Sequence, residues 1–262
     1  MIRSDFHMHA SFCDGKSTAE EMVLAAIQKG MTCIGISTHA MLQTQYSVEE
    51  MTRRLEAYRT EMARLKEKYA GQIELYCGVE LELDMNMPID LEQYDYVIGS
   101  LHDLYRDGKP IYVDYSPEYW ERVVDEYYGG DSLSFVEDYY ENLARLADRK
   151  IDIIGHFDLC TKFNRDGRLF DENDPRYLCA AYRAADALLP LGIPFEINMG
   201  AIARGYQDHP YPNTKILEYI VKNGGRVMLS SDAHSAENIA FGFDTWEPVI
   251  RKITPIIEDW RP

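Results

Sequence analysis

Long apolar runs are missing from this 262-residue chain, and none approaches the length needed to span a bilayer. A membrane partner is therefore not expected. Basic charge is scarce as well: 27 Lys and Arg face 44 Asp and Glu, a formal net charge of −17. No basic stripe or aromatic-plus-Lys/Arg groove interrupts that balance, so a nucleic-acid backbone would be repelled. A small anionic ligand stays open, because bound divalent cations can reverse the sign of a site. The five cysteines form no C-x-x-C pair, and most lie in or beside apolar runs where Cys acts as a small hydrophobe, which fits a reducing cytoplasm. No basic-apolar leader precedes the strand pattern that begins at Ile2, so secretion is not expected. No low-complexity tract or Pro/Ser-rich linker divides the chain, and residues 1–262 read as one domain of a length suited to an α/β barrel. Nothing in the pattern sets an oligomeric state.

What the sequence does contain is an alternation of short β-branched runs with longer segments of helical period, the signature of repeated βα units around a parallel sheet. A strand is expected around Ile2 to Met8. A helix opens with Ser17 or Thr18 as cap and acids in its first turn, and stops at Gly30. Further strands are expected at Cys33 to Ser37, Ile73 to Leu81, Tyr96 to Gly99, Ile151 to Gly155, Ile193 to Ile197 and Arg226 to Ser230. Helices are expected from about Ser47 to Tyr69, Leu133 to Arg149, Arg176 to Leu189 and Thr214 to Lys222. This gives a fold of class α/β, a barrel of seven βα units resembling a TIM barrel.

Seven histidines are an ordinary number for such a length; their positions are not ordinary. His7 and His9 end the first strand, His39 follows the second, His102 the fourth, His156 the fifth, and Asp232 and His234 the seventh. Glu80 stands at the equivalent point of the third. In a barrel of parallel strands those ends converge on one face, where active sites are built. His7 and His9 alternate on one strand, so both imidazoles point to the same side. Imidazole with carboxylate, and no cysteine cluster, suits Zn, Mn or Fe rather than a structural zinc knot. His209, in Asp208-His209-Pro210, ends no strand and reads as a turn residue.

These residues fall in motifs that resemble the polymerase-and-histidinol-phosphatase (PHP) family: His7-Met8-His9 with Cys13-Asp14-Gly15, Ser37-Thr38-His39, Gly78-Val79-Glu80, Gly99-Ser100-Leu101-His102, Gly155-His156-Phe157-Asp158 and Ser231-Asp232-Ala233-His234. Cys13 stands where the family often has Ser. Glu196-Ile197-Asn198, Gly200, Arg204-Gly205, Tyr211-Pro212 and the Leu159 that extends the fifth motif are most similar to its histidinol-phosphate phosphatase branch. The resemblance implies a cluster of two or three divalent ions. His7, His9, Glu80 and Asp232 would hold the first, Glu80 would bridge to a second held by His102 and His156, and Asp14, His39 and His234 would hold the third. Glu82 and Asp84 share the strand face of Glu80 and replace it if the register shifts.

The implied activity is hydrolysis of a small phosphate monoester, L-histidinol phosphate on the branch resemblance, by attack of a hydroxide bridging the ions, with Glu80 as bridge and Asp232 as ligand or proton acceptor. Arg204 is the expected phosphate contact, since arginine suits bidentate recognition; Lys162 and Arg165, in the loop after His156, are further candidates. Tyr112, Tyr115, Tyr119, Trp120, Tyr127 and Tyr128 read chiefly as packing, with a lid over the leaving group as the alternative. Other readings are a phosphatase or phosphodiesterase for a nucleotide or another small ester, a nuclease module, and a metal-binding barrel without activity.

Overall fold

The structure, a computed structural model, describes residues 2–40, 47–83 and 89–262. Among these, nine strands occur in chain order: β1 (Ser4–Asp5), β2 (Cys33–Ala40), β3 (Glu74–Glu82), β4 (Tyr96–Ser100), β5 (Asp103–Arg106), β6 (Lys109–Tyr112), β7 (Ile153–Ile154), β8 (Pro194–Asn198) and β9 (Arg226–Ser230). Seven of them form one parallel sheet in the order β1-β2-β3-β4-β7-β8-β9, while β5 and β6 pair as a separate antiparallel hairpin. The edges of the sheet meet. Met8 bridges Ala233 in parallel register, His9 donates its N–H to the Ala233 carbonyl at 2.8 Å, and the Asp5 carboxylate accepts from the Ser231 N–H and hydroxyl. The result is the nearly closed seven-stranded barrel that the alternation of elements requires.

The helices are α1 (Ala19–Gln28), α2 (Val48–Lys68), α3 (Pro117–Tyr128), α4 (Ser132–Leu143), α5 (Pro175–Leu188), α6 (Gly200–Ala203), α7 (Thr214–Lys222) and α8 (Phe243–Ile250). Their starts are chemically marked. Thr18 and Glu21 form a reciprocal capping box, and Ser47, Ser116, Asp131, Asp174 and Asn213 each accept a first-turn N–H. Pro117 and Pro175 follow their caps, where a missing N–H costs nothing. No helix among the described residues is long and apolar enough to cross a membrane.

Because helices cover the outside of a parallel barrel, its strands are buried on both faces, as the unbroken burial of β2, β4 and β8 shows. Alternation then separates two cores. Ile34 and Ile36 join the large layer beneath the helices, whereas Cys33 joins Phe6, Tyr96, Ile98, Ile153 and Met228 in a second cluster packed against Trp260. Tyr96 needs the space that Gly35 and Gly78 leave: a Cβ on either would collide with its ring. Further along the same face of β2, beyond this apolar plug, come Ser37 and His39.

Three expectations need correction. The first and fifth strands are shorter than the apolar runs, with only Ser4–Asp5 and Ile153–Ile154 paired as strand. β2 is longer, so that His39 lies within it, in register with Glu80. The helix expected from Leu133 to Arg149 ends at Leu143 and tightens into a 3-10 turn over Ala144–Asp148. The stretch between His102 and Leu133 holds the β5–β6 hairpin and α3, which its aromatic content concealed.

Candidate metal centre

Glu80 is the hub of the polar layer. It is buried, and its Oε2 lies 3.1 Å from His7 Nε2, 3.3 Å from His9 Nε2 and 3.1 Å from His39 Nδ1. Its Oε1 lies 2.9 Å from His156 Nε2 and 3.5 Å from His102 Nε2. Asp232 Oδ1 approaches His9 at 3.6 Å and His234 Nδ1 at 3.4 Å. Asp14 Oδ2 is 3.1 Å from His234 Nε2, and its Oδ1 is 3.6 Å from His39 Nε2. All nine residues expected at the barrel mouth are therefore brought together. Their ligand atoms form four overlapping sets within 4.8 Å: His9-Asp14-His39-His234, His7-Glu80-His156, His7-His9-Asp232 and His39-Glu80-His102. His9 and His39 each take part in two sets, so the division expected from the motifs is less sharp in space.

The carboxylates that orient these rings were not foreseen as such. Glu196 Oε1 lies 2.7 Å from His7 Nδ1, and its Oε2 accepts from the His156 N–H at 3.0 Å. Glu82 Oε2 lies 2.8 Å from His102 Nδ1 and also accepts the His102 N–H at 2.9 Å. Each leaves the Nε2 of its histidine free to face Glu80, the arrangement that fixes tautomer and direction in metal sites. Glu82 thus supports His102 rather than replacing Glu80, and Asp84 lies outside the described residues. The signal for Glu196 was an acid inside a run that is otherwise apolar, on the same strand face as Asn198.

The electrostatics follow from crowding ionisable groups away from water. Burial opposes ionisation of Glu80, yet His7, His39 and His102 hold its carboxyl well below the usual range. Asp232 is likewise kept ionised against burial, by Arg204 and His7. Burial pushes His9 down to about 3, with His39 and His234 adding to the effect. His7 is raised despite its burial, by Glu196, Glu80 and Asp232. His7 Nε2 and His9 Nε2 face each other at 3.1 Å, and the buried His156 Nδ1 has no partner among the described residues. Imidazole nitrogens aimed at one another and at ionised carboxylates are a donor set for divalent ions of borderline hardness. The residues fit such ions.

The backbone is spent on aiming these groups. Asp232 has a φ of 49°, a left-handed conformation that a non-glycine residue adopts at a cost of about 1–3 kcal/mol. Gly200 lies against its carboxylate, where a Cβ would collide with both Asp232 and the guanidinium of Arg204.

A cavity of about 580 Å³ opens above the cluster. Arg204 lines it and donates to Asp232 Oδ2 at 3.0 Å. Lys162 lines it too, but its Nζ is held by Asp114 Oδ2 at 2.8 Å. Arg165 is not brought to the cavity: it is exposed in the turn Arg165–Gly167, directed by a local 3-10 conformation and not by the strand. The aromatic group divides. Trp120 is buried against Phe135 and Phe170, and Tyr128 packs on Phe135, whereas Tyr112 and Tyr115 line the cavity. His209 stands apart from every ligand set, with Nδ1 3.3 Å from the Pro210 carbonyl.

The PHP domain family model matches residues 5–199, well over half of the chain. The chain belongs to the PHP domain family. The "Probable histidinol-phosphatase" of Schizosaccharomyces pombe is 26% identical over 257 residues, covering 90% of this chain and 82% of that protein. The crystal structure of a Listeria monocytogenes protein superposes with a TM-score of 0.78 at 23% identity, covering 93% of this chain and 99% of the other. That of the Lactococcus lactis histidinol phosphate phosphatase, complexed with zinc, L-histidinol and phosphate, superposes with a TM-score of 0.72 at 18% identity, over 96% and 93% of the two chains. These structures share the fold.

If Glu196 orients His7, Glu196→Gln should weaken metal binding by roughly 10–100-fold while the protein still folds. Competition with a chromophoric chelator measures this; unchanged affinity would show that His7 needs no such support.

Proposed function

We propose that this chain, as a single barrel, is a metal-dependent phosphomonoesterase that hydrolyses L-histidinol phosphate to L-histidinol and phosphate. The observation that carries the reading is the convergence of six histidines with Glu80, Asp232 and Asp14 beneath a cavity lined by Arg204. The names of the yeast relative and of the Lactococcus structure support the choice of substrate. The four overlapping ligand sets suit two or three ions.

Divalent ions bound there would supply an activated water, neutralise the phosphoryl oxygens and hold the in-line geometry. The rest falls to the chain. Glu80, reaching rings set in or just past the ends of four other strands, keeps the donor nitrogens on one centre. Arg204 gives Nη1 to His234 Nδ1 and Nη2 to Asp232, both at 3.0 Å, so the guanidinium already lies at the cluster edge. An incoming phosphate dianion takes over those donors as a bidentate partner. Released from Arg204, the ionised Asp232 is free to accept a proton from the attacking water. Lys162, neutralised by Asp114, contributes positive charge only if that pair opens.

Phosphate release from L-histidinol phosphate, set against nucleoside monophosphates and sugar phosphates with zinc or manganese present, tests the reading. The highest kcat/KM is expected for L-histidinol phosphate. Turnover of nucleotides without turnover of L-histidinol phosphate would sink the substrate assignment.

A further inference from the structure

Three carboxylates outside the nine clustered residues line the cavity: Asp103, Asp114 and Glu237. Asp114 is bonded to Lys162 at 2.8 Å, and Glu237 is 3.4 Å from the Ser235 hydroxyl. Asp103 alone of the three has no hydrogen-bond or ion-pair partner for its side chain among the described residues. Its backbone is nevertheless firmly anchored. The Asp103 N–H donates to Glu82 Oε1 at 3.3 Å, and the Val113 N–H donates to the His102 carbonyl at 2.8 Å, which clamps the β5–β6 hairpin to the end of β4. Leu104, Ile111 and Val113 are buried and anchor the hairpin from its other face.

Across the hairpin Asp103 is the register partner of Tyr112, so the two side chains share the face that lines the cavity. Tyr115 adds a second ring, with its centroid 6.1 Å from that of Tyr112. That ring is 72% exposed although it lines the cavity, which leaves apolar surface for a ligand to cover. The cavity is therefore polarised. Arg204 marks one edge of the metal cluster, and an unpaired carboxylate beside two tyrosines marks the edge at His102.

We propose that Asp103 is the specificity-determining residue for the alcohol half of the substrate: its carboxylate receives a protonated amine, and Tyr112 and Tyr115 cover the group attached beside it. The class selected is the phosphate ester of a 2-amino alcohol, because Asp103 adjoins a clustered histidine and so meets an amine only a short way from the ester oxygen. An unpaired half-buried carboxylate gains a charge-assisted hydrogen bond and an ion pair from such a ligand, and neither from an analogue that lacks the amine. The inference rests on the phosphomonoesterase reading but not on histidinol as the alcohol.

Matched substrate pairs test it on the metal-loaded enzyme: L-histidinol phosphate against its deamino analogue, and O-phosphoethanolamine against ethyl phosphate. The wild type should favour the amine-bearing member of each pair by roughly 10–100-fold in kcat/KM, the range of a hydrogen bond to a charged group. In Asp103→Asn that ratio should collapse toward one, mainly through KM for the amines. A wild type without the preference overturns the proposal whether or not the variant folds, and so does a variant that keeps the preference. Preference for O-phosphoethanolamine with no turnover of L-histidinol phosphate would remove the substrate assignment and leave Asp103 in its role. Turnover of L-histidinol phosphate no faster than of its deamino analogue would do the reverse.

Discussion

Glu80→Gln should lose phosphatase activity by roughly 10³-fold or more and take up less metal than the wild type. The substitution keeps the size of the side chain, so the effect isolates charge and lone pairs. In the native protein both carboxylate oxygens face ring nitrogens, Oε2 those of His7, His9 and His39 and Oε1 those of His102 and His156. A glutamine presents two N–H donors on one side and a neutral oxygen on the other. One half of the cluster then loses an acceptor, and the shared negative charge disappears. Metal-assisted stabilisation of a phosphoryl transfer is worth several kcal/mol, and each 1.36 kcal/mol is tenfold in rate. Steady-state kinetics beside elemental analysis of the purified variant gives both readouts. Full activity with full metal content would show that Glu80 bridges nothing.

The prominence of Glu80 was legible in the sequence because a barrel strand obeys a simple rule: residues at its carboxyl end reach the common mouth whatever lies outside. The same rule placed His7, His9, His39, His102, His156, Asp232 and His234. It worked even where strand limits were misjudged, as in β2, since register fixes the face and not the terminus. What the rule does not reach is the support around the ligands. Glu196 and Glu82 are ordinary acids in sequence, and their task is set by partners 189 and 20 residues away, His7 and His102. Loop residues were harder still. Arg204 reaches the cavity because a one-turn helix, α6, follows β8, while Arg165 turns away at the start of the polar 3-10 turn Arg165–Gly167. The β5–β6 hairpin did carry a signal that was passed over, the Asp107-Gly108 pair at its turn, both at positive φ, between strands of only four residues each. Asp103 was passed over with it.

Removing the metal should leave the fold standing but less stable, and the stability gap between metal-loaded and metal-free protein should widen as pH rises. Two opposed titrations lead to this. In the metal-free protein burial disfavours a charged His102, but Glu80, Glu82 and Asp114 outweigh it and raise the ring from 6.5 to about 10. A group raised in the folded state contributes stability that is fully present below its unfolded value of 6.5 and is lost as pH climbs through about 10. The metal-free protein therefore weakens over that window, and His7, raised by Glu196, Glu80 and Asp232 against its burial, acts in the same direction. Ions need the same nitrogens deprotonated, so their affinity increases with pH by up to about tenfold per unit for each proton they displace. At a free metal concentration about 1,000 times the dissociation constant, binding adds about 4 kcal/mol, or on the order of 10 °C in Tm for a chain of this size. Thermal unfolding with chelator and with excess zinc, at about pH 6.5 and about pH 8.5, measures the gap under both conditions. A gap that stays constant would mean that metal binding displaces no protons from these rings, and that the ions are held elsewhere.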